Sequence, residues 1–266
     1  MSQQNSVDAY APREIAQRVE NAGVAKAELA TLPTLVLAVL AGAFIAFGAM
    51  LYMVVVTNSG LGFGPERLLG GVAFSLGLIL VLVGGAELFT GNSLIVFAWA
   101  DKMITGRALL RNWGLVYLGN FAGATAMAVV VHFSGLHNLG DGAVGATAMR
   151  IAEGKLALTP AEAFIRGILC NVLVCLAVWL CFAAHSVVSK IVAIVFPIAG
   201  FVALGFEHSV ANMYMIPAGW LAGSDVVSLA GYGANLIFVT IGNIVGGGVL
   251  VALVYWLVYR RGQRPI

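Results

Sequence analysis

Uninterrupted apolar runs of membrane-crossing length recur along this chain, and they leave it few ways to fold. Residues 33–56 contain no Asp, Glu, Lys, Arg or His. About 20 mainly apolar residues suffice to span a bilayer as a helix, and backbone inside lipid must satisfy its own hydrogen bonds. Hydrophobic residues make up 61% of the 266 and charged residues only 10%, against about 45–50% and 25% in soluble domains. No water-facing surface can be assembled from that supply, so the class is an all-α membrane protein. A net charge of +2 and the lack of a basic cluster with interleaved aromatics set nucleic acid aside as a partner. Cys170, Cys175 and Cys181 share one apolar stretch and read as small hydrophobes, not as a metal site or disulfide framework.

Six runs can be marked. The first lies between Pro33 and Val56, the second from about Leu68 to Ala100, and the third from about Leu109 to Phe133. After a Gly-rich connection, Pro160 opens the fourth, which ends near His185. The fifth lies between Val187 and Leu221, and the sixth between Tyr232 and Tyr259. The second and fifth are too long for one straight helix and are interrupted near their middles, at 84–92 and 205–212. Before the first run, Ile15, Val19, Ala22 and Leu29 fall near helical spacing, which suggests a short amphipathic helix lying on the membrane or plugging something, the surface anchor being the preferred reading. The chain thus divides into an N-terminal segment 1–32, a single membrane domain 33–260 and a short tail 261–266. With the N-terminus inside, one side collects ten Lys and Arg and the other four, Arg67, Arg150, Lys155 and Arg166. Both termini are therefore expected in the cytoplasm, in the inner (cytoplasmic) membrane of a cell.

The halves echo each other. Glu87 and Asn92 recur as Glu207 and Asn212, 120 positions on, and Gly119-Asn120-x-x-Gly123 returns as Gly242-Asn243-x-x-Gly246, 123 positions on. Pro33 and Pro160 each precede an opening helix. Three spans per half is an odd number, so the second half would be inserted upside down, giving a 3+3 inverted repeat with helices 2 and 5 broken. A helix broken in mid-membrane is tolerated only where protein or a water-filled cavity covers the break. Two such breaks related by a pseudo-twofold point at one central passage, and half-helix N-termini there suit an anion.

His208 is the only histidine at mid-span, which makes it a functional candidate by default, against a bland role bonded to a nearby carbonyl. Glu87 and Glu207 each open a break and can accept hydrogen bonds from the freed N–H groups of their own loops, with Asn92 and Asn212 serving the same local purpose. Thr90 and Asn171 can bond a passing solute, each other or a freed carbonyl. Lys155 stands at the outer approach to span four, as a snorkelling residue or part of the passage. Phe74, Leu78, Leu88 and Phe201 flank the breaks and could either close the passage or simply pack. The Gly-x3-Gly pairs read as close helix contacts. An intramembrane enzyme using Glu207 and His208 as acid and base would lack a nucleophile, metal-ligand set or cofactor motif beside them. A non-conducting scaffold leaves the paired breaks without purpose.

The strings Glu87-Leu88-Phe89-Thr90-Gly91-Asn92, Arg166-Gly167-Ile168-Leu169-Cys170-Asn171 and Gly205-Phe206-Glu207-His208-Ser209-Val210-Ala211-Asn212-Met213 resemble the signatures of the formate/nitrite transporter family. The match continues through Val239 to Gly248. Within the family, the stretch Gly70 to Leu80 looks more like formate channels than nitrite or hydrosulfide members. The resemblance implies an aquaporin-like fold, a homopentamer with one pathway per protomer, and a small anion as substrate, formate first, with no cofactor. It also implies His208 as the central histidine, Thr90 on the loop breaking the second helix, Asn171 beside His208, Lys155 in the outer vestibule, and Phe74, Leu78, Leu88 and Phe201 at two apolar constrictions.

Overall fold

A computed structural model of the chain describes residues 9–261, and those residues form helices, turns and loops with no strand among them. Arg264, most of the tail and the first eight residues lie outside the described part. Five helical stretches are long and apolar enough to cross a membrane: Thr31–Val56, Phe63–Gly84, Gly106–Phe133, Pro160–Ala183 and Leu229–Tyr259. In chain order the elements are α1 (Pro12–Glu28), α2 (Thr31–Val56), α3 (Phe63–Gly84), α4 (Val96–Ala100, preceded by the 3-10 turn Gly91–Ile95), α5 (Gly106–Phe133), α6 (Ala143–Leu156), α7 (Pro160–Ala183), α8 (Val187–Ala203), α9 (Ser209–Leu221), α10 (Leu229–Ile244) and α11 (Val254–Tyr259). Between α10 and α11 the helix continues as a π segment, Val245–Leu253.

Both expected interruptions are present, and each begins with a glycine that turns left-handed. Gly85 ends α3 at φ 82°, and Gly205 follows α8 at φ 72°, a conformation that costs a residue with Cβ but not glycine. The chain then closes back on its own helix: the N–H of Ala86 donates to the Val81 carbonyl at 2.9 Å and that of Phe206 to Phe201 at 3.0 Å. Pro160 sits in the first turn of α7, where the N–H it lacks has no helical partner, and Thr159 and Glu162 cap that turn reciprocally. Seventeen residues of α8 reach about 25 Å at 1.5 Å each, short of a ~30 Å hydrocarbon core, so α8 by itself is an apolar helix too short to cross.

The packing partners repeat. Helix α2 lies against α3 and α5, as α7 lies against α8 and α10, and α3 meets α8 across the middle. The Gly-x3-Gly pairs do what their spacing suggested: a Cβ on Gly123 would strike the Val39 carbonyl of α2, and one on Gly246 the Ile168 carbonyl of α7.

Two local readings need correction. The Gly-rich connection 134–159 contains a helix, α6, which buries Val144, Ala148 and Ala152 and meets α9 where Gly219 leaves space for Ala148 and Ala152. Small residues made it look like a linker, yet small residues are what lets two backbones come this close. The amphipathic α1 is docked on the protein: Ile15, Ala16 and Val19 are buried beside Leu94, Ile95 and Phe97 of the first break's far side. Its apolar stripe was legible, but its destination was protein rather than a bilayer surface.

Candidate functional site

Each break is held by one asparagine from the helix that follows it. The Asn120 carboxamide of α5 accepts from the Phe89 N–H at 2.8 Å and donates to the carbonyls of Glu87 (2.8 Å) and Ala38 (2.7 Å). Asn243 of α10 accepts from Ser209 N–H at 2.9 Å and donates to the carbonyls of Glu207 (3.0 Å) and Gly167 (2.8 Å). Both asparagines are fully buried. One side chain thus replaces the backbone partners that the interruption removed.

The glutamates do something other than bond their own loops. Glu87 accepts from Asn92 at 2.7 Å and pairs with Lys26 of α1, while Asn92 reaches on to Asn112 at 2.9 Å and Asn112 to the Lys26 carbonyl at 3.0 Å. The second half repeats every link. Glu207 accepts from Asn212 at 2.7 Å and from Lys155 of α6 at 3.0 Å; Asn212 reaches Asn235 at 2.8 Å, and Asn235 the Lys155 carbonyl at 3.1 Å. Each carboxylate is therefore a buried anion with a cation and an amide on it, which is how such a charge survives away from water. Lys26, Asn112, Asn120, Asn235 and Asn243 were not singled out by sequence as site residues. Asn120 and Asn243 did stand in the repeated Gly-Asn-x-x-Gly, where the glycines drew the reading; Lys26 looked like any charge on a surface helix.

Matching bonds place Leu88 and His208 in equivalent positions, each between the glutamate and the amide held by asparagine. At His208 the imidazole Nδ1 accepts from the Ala211 N–H at 3.1 Å, capping α9. A nitrogen that accepts carries no proton, so the ring is the Nε2–H tautomer. That N–H points to the Thr90 hydroxyl of the other break, 2.9 Å away. Thr90 uses its oxygen there and retains a hydroxyl hydrogen to offer. This contact joins the two breaks directly. Phe201 stacks on the imidazole with centroids 5.9 Å apart, and Phe74 meets Phe201 edge-on at 5.6 Å.

One cavity lies at each break; His208 lines the larger, and Thr90 lines neither. The larger, about 360 Å³, is lined by Phe74, Phe201, His208, Glu207 and Lys155 together with Arg67, Arg150 and Arg166. The smaller, about 130 Å³, is lined by Leu78, Leu88 and Asn92 with Lys26 and Lys190. The expected apolar constrictions thus divide, Phe74 with Phe201 at one cavity and Leu78 with Leu88 at the other. Asn171 departs from expectation. Its Nδ2 serves the carbonyls of Thr90 (3.2 Å) and Asn243 (2.6 Å) and the Ser93 hydroxyl (3.1 Å), so it ties the breaks together from behind and lines neither cavity.

Elsewhere, His132 lies exposed in the last turn of α5 and His185 stacks on Tyr10 with centroids 4.0 Å apart. His137 is buried in a turn outside the spans, where burial, and then the neighbouring His132, hold its pKa below 6.5. The three cysteines are buried free thiols. Among the described residues no group of three His, Cys, Asp or Glu side chains comes together as metal ligands.

The sequence profile of the formate/nitrite transporter family matches residues 13–257. The chain is 42% identical to the formate channel FocA of Escherichia coli K12, over 98% of both chains. It is also 42% identical to a probable formate transporter of Methanothermobacter thermautotrophicus, over 85% of this chain and 88% of that one. Among solved structures it superposes on a pentameric formate channel with formate bound, at a TM-score of 0.80 and 39% identity over 86% of this chain and 97% of that one. A second, an FNT family ion channel, gives a TM-score of 0.85 at 30% identity over 92% and 98%. These relatives are channels and transporters, not enzymes, and Glu207, spoken for by Lys155 and Asn212, has no role as a free base. A multi-pass helical membrane protein with two interrupted helices and this similarity along almost its whole length belongs to the formate/nitrite transporter family.

Proposed function

We propose that the chain is a channel for small monovalent anions of weak acids, formate first, in which the solute crosses the centre as the neutral acid with help from His208. The observation that carries this reading is the Thr90–His208 contact, a polar link standing between two cavities that both hold lysines. The arrangement is that of six spans in two inverted sets of three, aquaporin-like, assembled as a homopentamer in the inner membrane with both termini cytoplasmic. All four basic residues assigned by charge counting to the outer side line the larger cavity, and Lys26 and Lys190, assigned inside, line the smaller, which supports that orientation.

Magnitudes favour the neutral passenger. Carrying a bare carboxylate into low dielectric costs ideally of order 20 kcal/mol, and still several after relaxation. Protonating a carboxyl of pKa ~4 at pH 7 costs about 4 kcal/mol. Lys155 and Lys26 gather the anion in the two cavities; the phenylalanine and leucine pairs admit the acid. Resting His208 is neutral and capped, so it donates only an Nε2–H bond. To deliver a proton it must first gain one at Nδ1, which gives up the Ala211 bond, worth about 0.5–1.5 kcal/mol. Donation from Nε2 to the anion leaves the Nδ1–H tautomer, and the Ala211 cap returns only when that Nδ1 proton departs and Nε2 takes up another.

His208→Phe tests the relay in proteoliposomes. Formate flux in the native chain should rise as pH falls, and the variant should lose that slope; a variant with the native slope excludes the relay. The capped Nδ1 also favours a second reading, in which neutral His208 only orients a passing anion. Current recorded per formate separates the two, since net charge moves with every anion in that case. Competition of formate with nitrite, hydrosulfide, acetate and lactate at two pH values ranks the substrates of this family.

A further inference from the structure

The outer cavity holds more positive charge, and more room, than a one-carbon anion needs. Its Glu, Lys and Arg lining is Glu66, Arg67, Arg150, Lys155, Arg166 and Glu207, beside the neutral His208 and Tyr52. Glu66 is engaged by the Ser59 hydroxyl and Glu207 by Lys155 and Asn212. Arg67 spends two N–H groups on the carbonyls of Ala203 and Val202, at the end of α8, and Arg166 spends one on Gly205 and has the exposed Glu162 carboxylate 4.0 Å away. Arg150 of α6 donates to a neutral hydroxyl, Thr147, at 3.1 Å, and among the described residues it has no carboxylate partner. Four of its five guanidinium N–H groups are left to offer. The cations come from α3, α6 and α7, around a wall that includes Phe74, Ile151, Phe201 and Met215. At about 360 Å³ the space would hold on the order of ten waters at ~30 Å³ each, whereas formate has only three heavy atoms.

A ligand that engages cations on separate elements needs two anionic ends, and one that also covers the apolar wall needs a short hydrocarbon between them. We propose that the outer cavity binds three- and four-carbon dicarboxylates, with one carboxylate on Arg150 and the other toward Lys155 and Arg166, and that the bound dianion blocks formate from that face without crossing. This rests on the channel reading above. Crossing is denied because a dicarboxylate must take up two protons where formate takes one, each a population penalty of about a thousandfold at pH 7 for a carboxyl of pKa near 4. The inner cavity, about 130 Å³ and lined by the cations Lys26 and Lys190 with no arginine, offers neither the room nor the fork.

Labelled formate flux in right-side-out and inverted membrane vesicles, with succinate or malonate added to the bath, tests the block. Inhibition from one face only is expected, weakened about tenfold or more in Arg150→Gln and in the charge-keeping Arg150→Lys, which loses the bidentate geometry. Labelled succinate should not accumulate. Equal inhibition from both faces, succinate uptake, or an unchanged inhibition constant in both folded variants overturns the proposal. Calorimetric titration of succinate into the detergent-solubilised full chain reads the site without transport. Absence of formate flux with succinate binding intact would remove the channel reading and leave the site standing; formate flux without succinate binding would do the reverse.

Discussion

Asn120 and Asn243 each meet three backbone groups with one carboxamide. Asn120→Ala or Asn243→Ala strands a buried N–H and the loop carbonyl of Glu87 or Glu207, while Ala38 and Gly167 keep their places inside α2 and α7, and each stranded group costs about 1–3 kcal/mol. Either variant should therefore melt at a lower temperature in detergent, and Asn120→Asp should be no better, because its carboxylate keeps the acceptor for Phe89 but is buried unpaired against carbonyl oxygens. A melting temperature equal to the native chain's would mean that water fills these roles. The same pair of asparagines makes Leu88 and His208 counterparts, so the chemical difference between the halves at this position is one imidazole against one isobutyl group. Scaffold is duplicated; proton chemistry is not.

At the scale of elements, α1 shows how a short helix gains a role in a site it precedes by many residues. Arg260, at the end of α11, donates to Gln17 at 2.8 Å and to Glu20 Oε1 at 3.0 Å, holds its Nε 2.8 Å from Glu20 Oε2 as an ion pair, and also reaches Asp101 at 3.3 Å. This clamp holds α1 against the break so that Lys26, two turns on, arrives at Glu87. Arg260→Ala leaves two buried carboxylates facing each other. With Arg260 22% exposed, the loss is about 2 kcal/mol rather than the ~3–5 of a fully buried pair. Limited proteolysis should then cut within 12–28 faster than in the native chain, and formate flux should change with it, because Lys26 loses its seat. Unchanged cleavage would show that the apolar stripe of Ile15, Ala16 and Val19 suffices to dock α1.

For the whole molecule, the charge count makes a prediction that needs no site. A single cysteine replacing Asp141 should react with an impermeant maleimide added to intact cells, and one replacing Lys102 only after the membrane is opened; the native thiols, all buried, stay silent. The reverse pattern inverts the orientation and the faces assigned to both cavities. Much of this architecture was legible along the chain. Apolar runs of membrane-crossing length, glycines at 85 and 205, and recurring Glu-x4-Asn and Gly-Asn-x-x-Gly spacings are local properties, set by helix rise, by the left-handed freedom of glycine and by the burial that lipid demands. Contacts such as Lys26 with Glu87, Arg260 with Glu20, and Thr90 with His208 join residues 61, 240 and 118 positions apart. No periodicity in the chain encodes them, because they arise only when separate helices have packed and left buried polar groups in need of partners. The same holds for Asn171, whose amide was free to face a solute or a carbonyl until the packing of α7 against the two breaks turned it to the carbonyls.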